Sequence, residues 1–249
     1  MIDFHSHILP AADDGAKDTI TALDMLAKSY ADGVKTVVST SHCYIENGSD
    51  SIDNFLSKRE RTYRKLMKAI NAEKREFPNI VLASEVHIGI GMSKCKNLSR
   101  LRIQDTDYIL LEMPYDTWND AVYEEIYHVI CQGFKPIIAH LDRYPDKQFK
   151  DLLSLDVLCQ INASAFLDKQ SRKMVLNLLK SDAAHVIGSD MHNMTTRRPN
   201  LADAYAAINE KFGRAYSAFF QSNAECILRN GIPNAPNLPK LGIIKKILL

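Results

Sequence analysis

Short, nearly continuously apolar runs alternate along this chain with longer stretches of helical periodicity, and that alternation narrows the fold more than any other feature. The runs cover residues 2–5, 34–39, 80–84, 108–111, 136–139, 157–161 and 185–188. Each is brief and rich in Val, Ile and Leu, as expected of parallel strands covered on both faces. Between them lie helical candidates at 18–32, 51–76, 119–132, 168–181, 201–212 and 214–230. In the first, Ile20, Leu23, Leu26 and Ala27 recur at helical spacing and Gly33 supplies a stop. Seven strands with intervening helices in 249 residues read as an α/β chain, either a β/α barrel of slightly reduced size or a doubly wound open sheet. Periodicity does not separate the two. No linker or low-complexity segment divides the chain, so one domain is expected over 1–249, with 231–249 as a C-terminal tail marked by Pro233, Pro236 and Pro239.

Parallel β/α architectures carry their functional groups at the C-terminal ends of strands, and the ionisable residues sort to those ends. Asp3, His5 and His7 leave the first run with period two, so all three can point to one side. His42 follows the second run, Glu85 the third, Glu112 the fourth and His140 the fifth. Asp190 and His192 leave the seventh, again two apart, and Asp14 lies in the loop after the first. Five of the eight histidines thus follow a strand, which a random surface scatter would not produce. Imidazole and carboxylate suit borderline to hard divalent cations. The carboxylates Asp14, Glu85, Glu112 and Asp190 sum to −4. Two divalent ions would neutralise that charge and three would leave a surplus suited to a phosphate dianion. Nitrogen and oxygen ligands admit Mn, Fe, Zn or Co.

Composition excludes several alternatives. Lys plus Arg is 31 against 30 Asp plus Glu, and this near balance argues against a general nucleic-acid binder. No apolar run approaches the ~20 residues of a spanning helix, and the N-terminus lacks a basic and then apolar leader. A cytoplasmic location is expected. Cys43, Cys95, Cys131, Cys159 and Cys226 are odd in number and form no C-x-x-C pair, which fits reduced thiols. A thiolate phosphatase needs an Arg six positions after its Cys. Those positions hold Ser49, Leu101, Ile137, Ala165 and Ile232, so that mechanism is absent.

His5-Ser6-His7, Asp13-Asp14-Gly15, Ser39-Thr40-Ser41-His42, Ile138 to Arg143 and Ser189 to Asn193 together resemble the polymerase and histidinol phosphatase (PHP) superfamily. More narrowly they resemble the bacterial manganese-dependent protein-tyrosine phosphatases of capsule and exopolysaccharide loci. The resemblance runs from Met1 to about Asn230. It implies a distorted seven-stranded (β/α)7 TIM-like barrel, the PHP fold, holding two or three Mn²⁺ ions. It assigns His5, His7, Glu85 and Asp190 to one ion, and Glu85, Glu112 and His140 to a second. Asp14, His42 and His192 go to a third. Arg143 and Arg197 match arginines that grip the substrate phosphate. The implied reaction is in-line attack on phosphorus by a metal-bound hydroxide, with His42 or His192 near the tyrosyl leaving group. The implied partner is a phosphotyrosine protein, the tyrosine-rich tail of a cognate bacterial tyrosine kinase. A small-molecule phosphoesterase resembling histidinol-phosphatase is the alternative. A nuclease or a catalytically silent barrel is a more distant one.

For the remaining polar residues the expectations are modest. Asp3 can orient a ligand histidine, and Asp13 is read as a turn residue. Asn162 and Ser164 can approach the site through water. His87 can line its mouth, with Cys43 and Tyr44. Tyr115 and Trp118 can stack on an aromatic ring or cover the barrel, while His128 and His185 are structural.

Overall fold

The computed structural model of the chain describes residues 1–46, 48–115, 118–145 and 148–233. The expected tail lies outside the described residues from position 234 onward. In chain order the first half comprises β1 (Ile2–Ser6), α1 (Thr19–Ala31), β2 (Thr36–Ser39), β3 (His42–Cys43), α2 (Ser49–Ala72), β4 (Asn79–Leu82), β5 (Glu85–His87) and β6 (Tyr108–Glu112). The second half comprises α3 (Asp120–Cys131), β7 (Lys135–Ile138), α4 (Phe149–Leu152), β8 (Leu158–Asn162), α5 (Ala163–Leu167), α6 (Arg172–Lys180), β9 (Val186–Gly188), α7 (Leu201–Lys211) and α8 (Arg214–Leu228).

The fold is α/β, and every ladder in it is parallel. One sheet has the order β1-β2-β4 and the other β3-β5-β6-β7-β8-β9. Beyond the ends of β1 and β9 the backbone pairs again. Asp190 donates its N–H to the His5 carbonyl at 2.8 Å, and His7 donates to the Met191 carbonyl at 2.9 Å.

The runs at 34–39 and 80–84 each continue into a second short strand that periodicity did not show. β2 stops at Ser39 and β3 resumes at His42; β4 stops at Leu82 and β5 resumes at Glu85. Backbone bonds still cross these breaks, from the Thr40 N–H to the Ser6 carbonyl at 2.8 Å and from the Ala83 N–H to the Ser39 carbonyl at 2.9 Å, and side chains add to them. Thr40 Oγ1 accepts the Ser6 N–H at 3.1 Å. Arg59, reaching over from α2, donates to the Ala83 carbonyl at 3.1 Å and to Ser84 Oγ at 2.9 Å. Each break lies just before a candidate ligand, so the backbone is re-aimed where His42 and Glu85 begin.

The helices pack by their apolar faces. α1 starts at Asp18, whose side chain accepts the Thr21 N–H at 2.8 Å, and buries Leu23, Met25 and Leu26. α3 starts at Asn119 in the same way. The large apolar cluster lies between strands and helices. A smaller one gathers Phe4, Val38, Ala83, Tyr108, Leu110, Ile137, Ala139 and Val186 from six strand regions, with Ala224 and Ile227 of α8. Strand alternation then carries its faces upward. Two residues beyond Leu110 stands Glu112, and four beyond Val186 stands Asp190. The site therefore sits on an apolar floor.

Candidate metal centre

All nine candidate ligands converge. His5, His7, Glu85, Glu112, His140, Asp190 and His192 are buried, His42 is 16% exposed and Asp14, on its loop, 65%. Three groups have ligand atoms close enough to share an ion: His5 with His7 and Asp190; His42 with Glu85 and Glu112; and His7 with Asp14, His42 and His192. His140 adds its Nε2 at 2.7 Å from Glu85 Oε1 and 3.5 Å from Glu112 Oε1. Glu85 Oε2 meanwhile stands 3.1 Å from His5 Nε2, 3.3 Å from His7 Nε2 and 3.1 Å from His42 Nδ1, a bridging position.

The hydrogen-bond directions show what these atoms need. His5 Nδ1 lies 3.0 Å from Gln160 Oε1, His7 Nδ1 2.8 Å from Asp13 Oδ2 and His192 Nδ1 3.0 Å from the Asp190 carbonyl. Each partner is an acceptor, so each Nδ1 carries the hydrogen and each Nε2 faces the cluster. His5 Nε2 and His7 Nε2 are only 3.0 Å apart. Glu85 Oε2 and Asp190 Oδ1 stand beside them. Four acceptors thus surround one buried point, which must hold a positive charge, a proton or a metal cation. Asp190 Oδ1, His192 Nε2 and His42 Nδ1 are buried without a well-directed hydrogen bond, a costly state unless a cation supplies a partner. The donor set therefore fits divalent metal.

The electrostatics agree. Burial pushes the Glu112 carboxyl up, but His140 and His87 beside it outweigh burial and hold it down at about 2. Burial opposes the same outcome at Glu85 and Asp190, yet the neighbouring His5 holds both well below the carboxylate range. Burial lowers His140 less than Glu112 and Glu85 raise it, to about 9. His192 goes the other way: burial and the charge at His7 push it down to about 4, leaving its ring neutral and able to ligate.

Arg143 and Arg197 both reach this cluster. Each guanidinium binds Asp190 Oδ2, Arg197 at 2.6 Å, and each side chain stays about one-third exposed, open to a ligand from outside. Planar paired donors of this kind match a phosphoryl group.

Three residues hold more of the site than the sequence suggests. Gln160 receives the His5 ring N–H and was never singled out; the signal available was two polar residues, Gln160 and Asn162, alternating in an apolar strand. Asp13, read as a turn residue, does accept the Gly15 N–H, but its other oxygen takes the His7 ring N–H and the His42 N–H. Asn162 contacts Asp190 Oδ2 directly, at 3.3 Å.

Asp3 does not touch a ligand ring. Its carboxylate accepts the N–H groups of Ser189 at 2.7 Å and His5 at 3.4 Å, fastening β1 to the end of β9. His87 lies 3.3 Å from Glu112 Oε2, and Tyr44 stacks near both His42 and His87. Tyr115 donates to Glu112 Oε1. Trp118 is buried, packing edge-on to Tyr144, and so covers rather than lines the site. His128 is an exposed residue of α3, and His185 Nδ1 accepts the Cys159 N–H at 3.0 Å.

Fold and site together define a metal-dependent hydrolase that builds its centre at the C-terminal ends of parallel strands. The chain belongs to the CpsB/CapC family of capsular polysaccharide synthesis, whose model matches residues 1–229. It is 32% identical to the tyrosine-protein phosphatase CpsB of Streptococcus agalactiae, over 92% of this chain and 99% of that one. It is 29% identical to the tyrosine-protein phosphatase YwqE of Bacillus subtilis, over 92% of each. Among solved structures it superposes with a TM-score of 0.79 and 25% identity on one from the work on Bacillus subtilis YwqE and Streptococcus pneumoniae CpsB, described as unique metal-dependent tyrosine phosphatases. That match covers 96% of this chain and all of the other.

Proposed function

We propose that this chain is a metal-dependent protein-tyrosine phosphatase of capsule synthesis. The observation that carries the reading is the buried point enclosed by His5 Nε2, His7 Nε2, Glu85 Oε2 and Asp190 Oδ1, with two arginines at its rim, in a chain whose relatives bear that activity in their names. His5, His7, Glu85 and Asp190 would hold one ion, Glu85, Glu112 and His140 a second, and Asp14, His42 and His192 a third. Mn²⁺ is the cation assigned. Bound there, divalent ions activate water at neutral pH and offset charge on the phosphoryl oxygens.

The chain's own groups do the rest. Arg143 and Arg197 turn from Asp190 toward the phosphoryl oxygens and hold them. His42 and His192, both within 3.4 Å of Asp14 Oδ1, would hold a nearby water from which a proton can pass to the leaving oxygen. A tyrosyl oxygen, with a solution pKa near ~10, demands little of them. Tyr44, His87 and Tyr115 supply an aromatic rim. In this reading the two sheets, joined through Asp190 and His7, form a distorted seven-stranded barrel. The protein partner is the phosphorylated tyrosine-rich tail of a cognate tyrosine kinase. The balanced charge gives nucleic acid no foothold, and the five free cysteines suit the cytoplasm.

The test is kinetic. Mn²⁺-loaded protein is given a phosphotyrosyl peptide and, separately, histidinol phosphate. Higher kcat/KM for the peptide is expected. The reverse preference would move the activity to a small-molecule phosphoester.

A further inference from the structure

Gln160 is fully buried in β8, and its side chain makes three polar contacts, all with protein groups. Its Oε1 accepts the backbone N–H of His140 at 2.7 Å. A backbone N–H can only donate, so that atom is the oxygen and the amide orientation is fixed. The same oxygen faces His5 Nδ1 at 3.0 Å, so Nδ1 must carry the hydrogen and Nε2 must present its lone pair to the cluster. The amide nitrogen then donates to Asn162 Oδ1 at 2.9 Å. This leaves Asn162 Nδ2 to donate to Asp190 Oδ2 at 3.3 Å. The far end of the chain is a carboxylate, which accepts, and every direction is consistent.

One side chain thus ties three ligand-bearing strand ends. It selects the His5 tautomer, it anchors His140, whose backbone is left-handed at φ 34°, and it steadies Asp190, also left-handed at φ 53°, through Asn162. A non-glycine residue holds such a conformation only where its surroundings fix it. We propose that Gln160 is a positioning residue of the metal centre, prearranging His5 Nε2, His140 and Asp190 before any cation arrives. The proposal rests on the metal reading above for its affinity consequence and is independent of it for the tautomer.

The experiment uses metal-free full-length protein, raised in pH until the His5 ring is neutral. Nitrogen-15 spectra of the histidine rings report which nitrogen of His5 carries hydrogen, with His5→Gln identifying the signal. Wild type is expected to show a single Nδ1–H form. Gln160→Met keeps the volume and removes the acceptor. It is expected to give mixed His5 tautomers, and Mn²⁺ binding by calorimetry weakened about 10- to 100-fold. Gln160→Glu keeps the acceptor and is expected to retain the Nδ1–H form. A single Nδ1–H tautomer and wild-type Mn²⁺ affinity in Gln160→Met would overturn the proposal. If Gln160→Met does not fold, loss of the Nδ1–H form in Gln160→Glu would overturn it as well. Failure of wild type to bind Mn²⁺ would strike the metal reading and leave the tautomer result to stand or fall alone.

Discussion

Asp13 and Arg143 serve the centre in opposite ways, and their substitutions separate positioning from contact. Asp13 fixes the His7 ring and the His42 backbone with one oxygen and the Gly15 turn with the other. Asp13→Asn replaces a charged acceptor with a neutral amide. Mn²⁺ affinity, measured by titration calorimetry, should fall about 10- to 100-fold, as when other partners of ligand histidines are altered. Arg143 instead lies at the rim, where a phosphoryl group would meet it. Arg143→Ala should leave metal content unchanged and lower kcat/KM on a phosphotyrosyl peptide by ~2–4 kcal/mol of transition-state stabilisation. Full kcat/KM in that variant would remove Arg143 from phosphate binding. The convergence of the candidate ligands was legible in the sequence because strand ends sort them by residue type. Their partners were not. Gln160 and Asp13 act through hydrogen-bond directions that appear only when β8 and the loop after β1 are brought beside His5 and His7.

The strands and helices impose their own constraints. Gly188 of β9 lies against His5, where an added Cβ would stand 2.3 Å from the His5 Cβ and 2.8 Å from its backbone nitrogen. Gly188→Ala should therefore push β1 from β9, costing ~1–3 kcal/mol or more in urea unfolding. A variant as stable as wild type would show that the two strands pack less closely. At the start of β9, His185 Nδ1 accepts the Cys159 N–H and ties it to β8. Burial pushes this imidazole down to about 4, against ~6.5 in the unfolded chain. Between those values the unfolded chain binds the extra proton. The stability from His185 is complete above pH ~6.5 and is lost as pH falls toward 4, on the order of 3 kcal/mol in all. The wild-type stability difference between pH 7 and pH 5 should exceed that of His185→Gln; equal differences would contradict the assignment. At this scale the sequence located all seven strand regions and six main helices by their period. It did not reveal that β2–β3 and β4–β5 are broken, because backbone bonds together with the Thr40 and Arg59 side chains bridge those breaks and leave the apolar pattern intact.

Across the whole molecule, the acceptor cluster and the fold depend on one another. Seven candidate ligands are buried at strand ends above an apolar floor, and without cations their carboxylates must be offset by protons on the histidines. Stripping metal should lower the melting temperature, and excess Mn²⁺ should restore it. Saturation at about 100 times Kd is worth ~2.7 kcal/mol per site. No shift on chelation would show that the cluster is balanced by protons alone. Among the described residues no helix is long and apolar enough to cross a membrane. The choice between barrel and open sheet was beyond periodicity, since both alternate strand and helix. The direct pairing of Asp190 with His5 and of His7 with Met191 is a long-range contact that no local pattern encodes. The most direct test of the central claim is phosphate release from a phosphotyrosyl peptide by protein first stripped of metal and then reloaded with Mn²⁺. Activity absent after stripping and recovered on reloading is the predicted result. Equal release by stripped and reloaded protein, or none from protein with Mn²⁺ confirmed bound, would contradict it.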